Sequence, residues 1–327
     1  MGLTAAAADA HIARWTEELR KPYYPHRVHW PSMLFHHAPV QNAVSIIQSG
    51  HILSRRQSEG QRQLDVAGAG VIDHRDVAHD FTRLYFRPRT PTQYHIEGIR
   101  RPADCQYGPA AHAPILVMFA LDARSILTMA NTRFSDINMQ RDEARHGADD
   151  AFFATIDFTK TYHEGGTGGD ATITHHRAAE VLCHSPLDLA AHLKWVVCRS
   201  EAERETLIHL AGFTGRALRP KIVTSDDGKV FEKRFAFVEK VYASPDGVTF
   251  NLNPRHDWAA LKVRLQVQTG QGVSVFDQTY PALAARSENG GGWRPAMKLA
   301  NGVHRVTIHI DDHLAYDNLL NVGEALF

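Results

Sequence analysis

The sequence predicts an α+β fold: a mixed β core with helices over the first two thirds, followed by a smaller, mostly antiparallel β domain. Three observations carry this. Short apolar runs at residues 114–121 and 178–182 are separated by helix-like segments up to about residue 215. From Val230 onward the texture becomes period two: Leu261, Val263, Leu265 and Val267 alternate with Lys262, Arg264 and Gln266, as half-buried strands do. Asp246-Gly247 sits between two strand-like runs and reads as a hairpin turn. The expected parts are an N-terminal helical extension at 1–30, a main domain at 31–215 and a β-rich accessory domain at 220–327.

Composition bounds the function. A chain of 327 residues, 43% hydrophobic and 22% charged, can bury two ordinary cores. It has no apolar run long enough for a membrane helix. The N-terminus lacks a basic region followed by an apolar core, so no signal peptide is expected. Cys105, Cys183 and Cys198 are odd in number and lack metal-type spacing, which fits a reduced cytoplasm. A net charge of zero argues against a globally basic nucleic-acid binder but leaves room for a local basic strip. The 21 histidines include the pairs His36-His37 and His175-His176. No His-Glu-x-x-His is present, and His309 and His313 flank Asp311-Asp312 after a strand-like run, so no metal site is expected.

In chain order, residues 4–21 read as a helix with Thr4 as N-cap and Ile12, Trp15 and Leu19 on one face; Pro25 and Pro31 end it. Leu34-Phe35-His36 reads as a strand leading into a short helix with Ile46 and Ile47 inward and Gly50 as its C-terminal cap. His36 therefore stands at a strand end, where ligand-facing polar groups are often placed. A core histidine bonded to backbone is the competing reading. Residues 54–79 are polar and read as a loop.

Phe81, Leu84, Tyr85 and Phe86 can form a strand that Pro88 and Pro91 forbid from continuing. Arg83, Arg87, Arg89, Arg100 and Arg101 are interleaved there with aromatics, which suits phosphate contact and base stacking. A solvated basic face is the plainer alternative. Residues 137–174 read as a long polar loop, broken by Gly165-Gly166-Thr167-Gly168-Gly169. The loop leads into a buried strand that carries one carboxylate, Glu180, among Ala178, Ala179, Val181 and Leu182. Burying a carboxylate costs several kcal/mol unless something compensates; a strand-edge ion pair with Arg177 is the bland account. After Pro186 a helix with Leu187, Leu189, Leu193 and Val196 is expected. A second follows, capped by Ser200 with Glu203 at the capping-box position and closed by Gly212.

Four blocks in order resemble the DarT family of nucleic-acid-base ADP-ribosyltransferases. Leu34-Phe35-His36, Asn42 and Ile46-Ile47 with Gly50 look like its opening NAD-binding block. Leu84-Tyr85-Phe86-Arg87-Pro88-Arg89-Thr90-Pro91 resembles its aromatic-Pro-Arg-Ser/Thr-Pro block. Asn131-Thr132-Arg133-Phe134 looks like the segment before its substrate loop, and Ala179-Glu180-Val181-Leu182 like the strand with its catalytic glutamate. The chain departs from the pattern at Ala38 and Pro39, where the family usually has Thr and His.

The resemblance implies an ADP-ribosyltransferase domain at 31–215 that consumes NAD as a substrate. Glu180 and Arg133 would be catalytic, and His36, Asn42, Tyr85 and Arg75 would contact NAD, with Arg56 and Arg62 as other candidates for that arginine. Arg83, Arg87 and Arg89 would contact nucleic acid. The expected acceptor is a base in single-stranded DNA, and an antitoxin partner is implied by the family, as for a toxin or phage-defence effector. RNA bases, plain NAD hydrolysis and a catalytically silent binding module stand as alternatives. The chemistry is consistent: breaking the nicotinamide–ribose bond develops an oxocarbenium-like centre that a fixed carboxylate stabilises. No Rossmann glycine fingerprint is present, so NAD as a redox carrier is not expected.

Overall fold

The computed structural model describes residues 2–60, 64, 76–108, 111–225, 229–285 and 292–323. Arg62 and Arg75 lie outside the described residues. The first helix, α1 (Ala5–Glu18), starts as expected, with the Thr4 hydroxyl accepting from the Ala7 N–H at 3.2 Å. Ala8 and Leu19 are buried in the main core, and Trp15 packs against its margin. Thus α1 is docked on the main domain.

The main sheet is assembled from β1 (Met33–Pro39), β3 (Thr82–Tyr85), β4 (Leu116–Asp122), β5 (Arg133–Ser135), β6 (His146–Gly147), β7 (Glu180–Cys183), β9 (Leu193–Cys198) and β10 (Ile222–Thr224). Two further short strands, β2 (His51–Ile52) and β8 (Leu187–Asp188), pair beside it. The order is β10-β9-β4-β1-β3-β7-β5-β6. All neighbours are antiparallel except β9 and β10, which run parallel. The core strands are apolar on both faces because helices and loops cover both sides.

The two halves of this sheet meet at a weak seam. β1 pairs with β4 from Met33↔Asp122 to Pro39↔Leu116, but with β3 only at Phe35↔Tyr85. Past that pair β1 is laddered on its β4 side alone, where His36 pairs with Phe119 and His37 with Met118. The helix α2 (Val40–Ser49) follows β1 at once and ends at Gly50, whose φ of 74° only glycine adopts freely.

Two expectations need correction. Residues 187–198 are not one helix: Leu187–Asp188 is a strand, Leu189–His192 one helical turn, and Leu193–Cys198 a strand beside β4. A short apolar run does not reveal its period, and here the free edge of β4 takes it as a strand. The long polar loop is also more ordered than its composition suggests. It contains the helical turns Asp150–Phe153 and Phe158–Thr161 and the short helix α3 (Thr172–His176), and it buries Phe153, Ile156, Phe158 and Tyr162. The last α-helical run, α4 (Glu201–Ala217), is broken at Gly212 (φ 64°, ψ −129°), the expected closing glycine, and helical residues resume beyond the kink.

The second unit follows the period-two pattern. β11 (Phe237–Ser244) and β12 (Gly247–Asn253) form the hairpin turning at Gly247. β13 (Leu261–Thr269), β14 (Ser274–Leu283), β15 (Gly302–Ile310) and β16 (His313–Val322) form an antiparallel sheet in the order β14-β13-β15-β16. Leu261, Val263, Leu265, Val267, Val306, Ile308 and Ile310 point into its core.

Arg199 ties the two units together. Its guanidinium is fully buried, paired with Glu203, donates to the Pro114 carbonyl and lies 4.9 Å from the Phe237 ring. So Glu203 pairs with Arg199 instead of closing a capping box, although the Ser200 hydroxyl does accept from its N–H at 3.2 Å. Arg199→Met would strand the Glu203 carboxylate in the core. We expect a loss of about 3–5 kcal/mol in unfolding free energy, read by urea denaturation; an unchanged midpoint would show that the pair is dispensable.

Candidate active site

Across the antiparallel pair β3/β7, Tyr85 stands opposite Glu180. Directly paired residues share a sheet face, as do residues two apart on one strand. Tyr85, Glu180, Arg83 and Leu182 therefore share one face, joined by Arg133, which pairs with Leu182. Glu180 is fully buried, and its compensation is direct: Arg83 Nε donates to Oε2 and Arg83 Nη2 to Oε1, both at 2.6 Å. This bidentate fork is the strongest common carboxylate contact. The Glu180 backbone N–H donates to the Ser135 hydroxyl at 2.9 Å, and the Met139 N–H approaches Oε1 at 3.4 Å.

Ile137, Met139 and Ala144 pack with Leu182 and Ala78 to roof this face. The roof is pinned by Asp136, which accepts from Arg145 Nε at 2.7 Å, and by His176, which meets the Asp136 carbonyl at 3.0 Å. Burial works against the charge of Arg83, but the adjacent Glu180 carboxylate more than offsets it, so the guanidinium pKa is raised. Burial, then the charge of Glu180, pushes the Tyr85 hydroxyl up to about 12.

At the seam, His36 Nδ1 lies 3.1 Å from the Arg83 carbonyl, a side chain standing in for the ladder that β1 does not supply there. His37 stacks on Tyr85 with ring centroids 5.5 Å apart and planes 14° from parallel. Burial lowers the pKa of both imidazoles, that of His37 to about 3, so both rings are neutral at pH 7. His37 Nε2 is buried and makes no hydrogen bond among the described residues.

A family model described as "ssDNA thymidine ADP-ribosyltransferase, DarT" matches residues 35–227, more than half of the chain. The chain belongs to the DarT family. It is accordingly an NAD-dependent ADP-ribosyltransferase, with NAD as substrate. Among solved structures, Thermus sp. 2.9 DarT in complex with ADP-ribosylated ssDNA aligns at TM-score 0.50 and 18% identity, covering 61% of this chain and 96% of that one. The same protein with carba-NAD+ aligns at TM-score 0.47 and 16% identity, covering 62% and 98%. Thermosipho africanus DarTG in complex with ADP-ribose aligns at TM-score 0.45 and 17% identity, covering 61% and 50%. At such identities the Thermus likeness at 0.50 speaks for the fold alone. No curated protein matches.

The DarT blocks that the sequence offered are brought together unevenly. Tyr85 and Glu180 share one face beside the seam, whereas His36, next to Phe35 that pairs with Tyr85, meets the Arg83 carbonyl from β1. Arg133 lies on the same face, its guanidinium 5.5 Å from the Phe81 ring, and its side chain makes no hydrogen bond or ion pair among the described residues. It lines an open groove of about 410 Å³ with Asp80, Phe81, Asn131, Ala148, His184 and Ser185. Asn42 turns elsewhere: its amide donates to the Leu64 carbonyl at 2.7 Å and its oxygen accepts from the Leu64 N–H at 3.2 Å, which clamps the segment after β2.

The arginines at 83–101 do not form an exposed strip. Arg83 grips Glu180. Arg87 is 2% exposed, pairs with Glu164 at 3.0 Å, donates to the His163 carbonyl and lies 4.7 Å from the Trp30 ring. Arg89 pairs with Glu164 and Glu232; Arg100 holds the Tyr94, Glu97 and Asp104 carbonyls; Arg101 pairs with Asp104 and Asp257. Charge reversal at Arg87 is therefore expected to unfold the main domain rather than to weaken nucleic-acid contact alone.

Sequence reading missed the role of Arg83, together with Ser135 and Met139. Only the His36-His37 doublet offered a signal for His37. Among the described residues no group of three or more His, Cys, Asp or Glu is placed to hold a metal ion, and no helix is long and apolar enough to cross a membrane.

Proposed function

We propose that the chain transfers ADP-ribose from NAD to thymine in single-stranded DNA, with Glu180 as the catalytic carboxylate and Arg83 as the residue that positions it. The observation that carries this reading is the bidentate Arg83–Glu180 pair beside the seam between β1 and β3. A carboxylate held by one guanidinium keeps unused lone pairs on both oxygens, ready to accept from a ribose hydroxyl. The fork on both oxygens keeps it from swinging.

In the reaction, the bond between nicotinamide nitrogen and ribose C1′ breaks, and its electron pair leaves with neutral nicotinamide. Positive charge builds on the ribose, where the Glu180 carboxylate stabilises it. The free ring nitrogen of thymine supplies the pair for the new bond to C1′ and gives up its proton to a nearby base or to water. Neutral His36 and the His37–Tyr85 stack offer a flat, apolar wall for an aromatic ring at the seam. Arg133, in the groove on the same face, is our candidate for orienting the acceptor strand. The acceptor assignment follows the family's description. The parts in this reading are the extension at 1–30, the transferase at 31–215 with β10 completing its sheet, and the β-rich accessory unit. A toxin or phage-defence setting in the cytoplasm, with an antitoxin partner, is the biological context we propose.

The test is incubation of the protein with isotopically labelled NAD and matched single-stranded DNA, duplex DNA and RNA. One ADP-ribose added to thymine-containing single-stranded DNA is the expected result. Label confined to protein, or equal labelling of duplex and single strand, would refute it. His36→Ala is expected to shrink the rise in melting temperature that NAD produces while leaving acceptor preference unchanged. An undiminished rise would make His36 a core histidine bonded to backbone.

A further inference from the structure

One cluster of charged groups is left over once Glu180 and its neighbours are assigned. It lies beyond the end of β3 and just before β7, two residues past Tyr85 at Arg87 and three before Glu180 at Arg177. Both strands that carry the proposed catalytic pair, β3 and β7, therefore border it. Four guanidinium groups gather there, from Arg27, Arg87, Arg89 and Arg177, with two carboxylates, Glu164 and Glu232. Glu97, next to Glu232, is already satisfied by the Glu232 and Lys233 N–H groups at 3.0 and 2.8 Å and by Gln93 at 2.9 Å.

The surplus is positive and mostly buried. The Glu164 side chain is 7% exposed and spreads its oxygens between Arg87 (3.0 Å) and Arg89 (3.3 Å), much as one edge of a phosphate would. Donors remain unused around it. Arg27 Nε and Arg177 Nε are buried without a hydrogen-bond partner among the described residues, and so are both ring nitrogens of His26, a residue only 7% exposed. A buried polar group left unpaired is costly, so several together point to a missing acceptor-rich ligand.

Glu164 also opens a glycine-rich strap, residues 165–169. Gly165 (φ 90°), Gly168 (φ 60°) and Gly169 (φ 91°) take left-handed conformations that let the chain turn without side-chain strain. Arg177 holds the strap by its backbone, donating to the Gly165 carbonyl at 2.5 Å. A Cβ at Gly166, Gly168 or Gly169 would meet open space, whereas one at Gly165 would meet the Tyr24 hydroxyl at 2.7 Å.

We propose that this cluster is a phosphate-binding site which Glu164 occupies in the free protein, and that the glycine-rich strap withdraws Glu164 when a nucleotide phosphate arrives. The phosphate is either the diphosphate of the dinucleotide or the backbone of the acceptor strand. That choice of sources rests on the proposed function; the anion site itself does not.

The probe is inorganic pyrophosphate, titrated against the full chain with melting temperature as readout and sodium chloride of equal ionic strength as control. Glu164→Gln is expected to tighten pyrophosphate half-saturation by about tenfold, the worth of one charged competitor. Adding Arg177→Met should cancel the gain. Displacement of pyrophosphate by NAD identifies the dinucleotide as the source, and displacement by a short oligothymidylate identifies the strand; displacement by neither overturns the nucleotide assignment. If Glu164→Gln merely lowers the melting temperature and pyrophosphate does no more than chloride, the cluster is an ion-pair lock and the proposal fails. Because pyrophosphate binding is read without turnover, its failure is distinct from a failure to transfer ADP-ribose.

Discussion

Glu180→Gln is expected to abolish ADP-ribosyl transfer while the protein stays folded and continues to bind NAD. Gln keeps the shape and one acceptor oxygen, so it fits the same slot between β3 and β5. What it removes is the negative charge facing the developing ribosyl cation. In a water-poor site such preorganised charge is worth roughly two to three orders of magnitude in kcat or more. Arg83 loses its counter-charge in this variant, but its side chain is 22% exposed and can turn part of its fork to water. The cost in stability should therefore be modest. Single-turnover kinetics with labelled NAD, alongside a melting curve with and without NAD, give the answer. A folded Glu180→Gln protein with transfer within tenfold of wild type would remove Glu180 from the mechanism.

The second large effect is expected at Arg83, and for the opposite structural reason. Arg83→Met leaves a fully buried Glu180 with no cation. Removing one partner of a buried pair typically costs about 3–5 kcal/mol, so both stability and activity should fall. The pH profile separates positioning from simple damage. A buried carboxylate without its counter-charge holds a proton to higher pH. The acid limb of the activity profile should therefore move upward in Arg83→Met, with part of the activity returning on the alkaline side. Arg83→Lys restores a point charge without the fork and should recover activity only partly. The double variant Arg83→Met/Glu180→Gln should be more stable than Arg83→Met alone, because the stranded charge is gone. Additive losses in that cycle, or an unmoved acid limb, would show that the two residues act independently.

Much of the plan was legible in the residues. A single carboxylate inside the apolar run Ala178–Ala179–Val181–Leu182 marks its own position, because an unpaired buried charge is too costly to be incidental. Caps and turns are read locally: Thr4 before α1, Gly50 after α2 and Gly247 at the β11–β12 hairpin stand where their side chains, or lack of one, require. Period-two alternation in β13 and β15 reported the second unit for the same reason, since each strand there is half buried. The four DarT-like blocks lie in short segments whose order along the chain can be read directly.

What the residues did not reveal was who faces whom. Arg83 and Glu180 are far apart in sequence, and only the β3/β7 register brings them to one face. The remaining arginines up to Arg101 look like a nucleic-acid strip until Glu164, Glu232, Asp104 and Asp257 arrive from distant segments to pair with them. Residues 193–198 become a strand because β4 offers an unpaired edge, a long-range demand that outweighs local preference. Composition, capping and hydrophobic period are local quantities, so the sequence by itself determined most of the elements and singled out Glu180 as a carboxylate that had to be compensated. Ion-pair partners, strand edges and the seam between β1 and β3 are set by register and sheet order, and those only the tertiary structure decided.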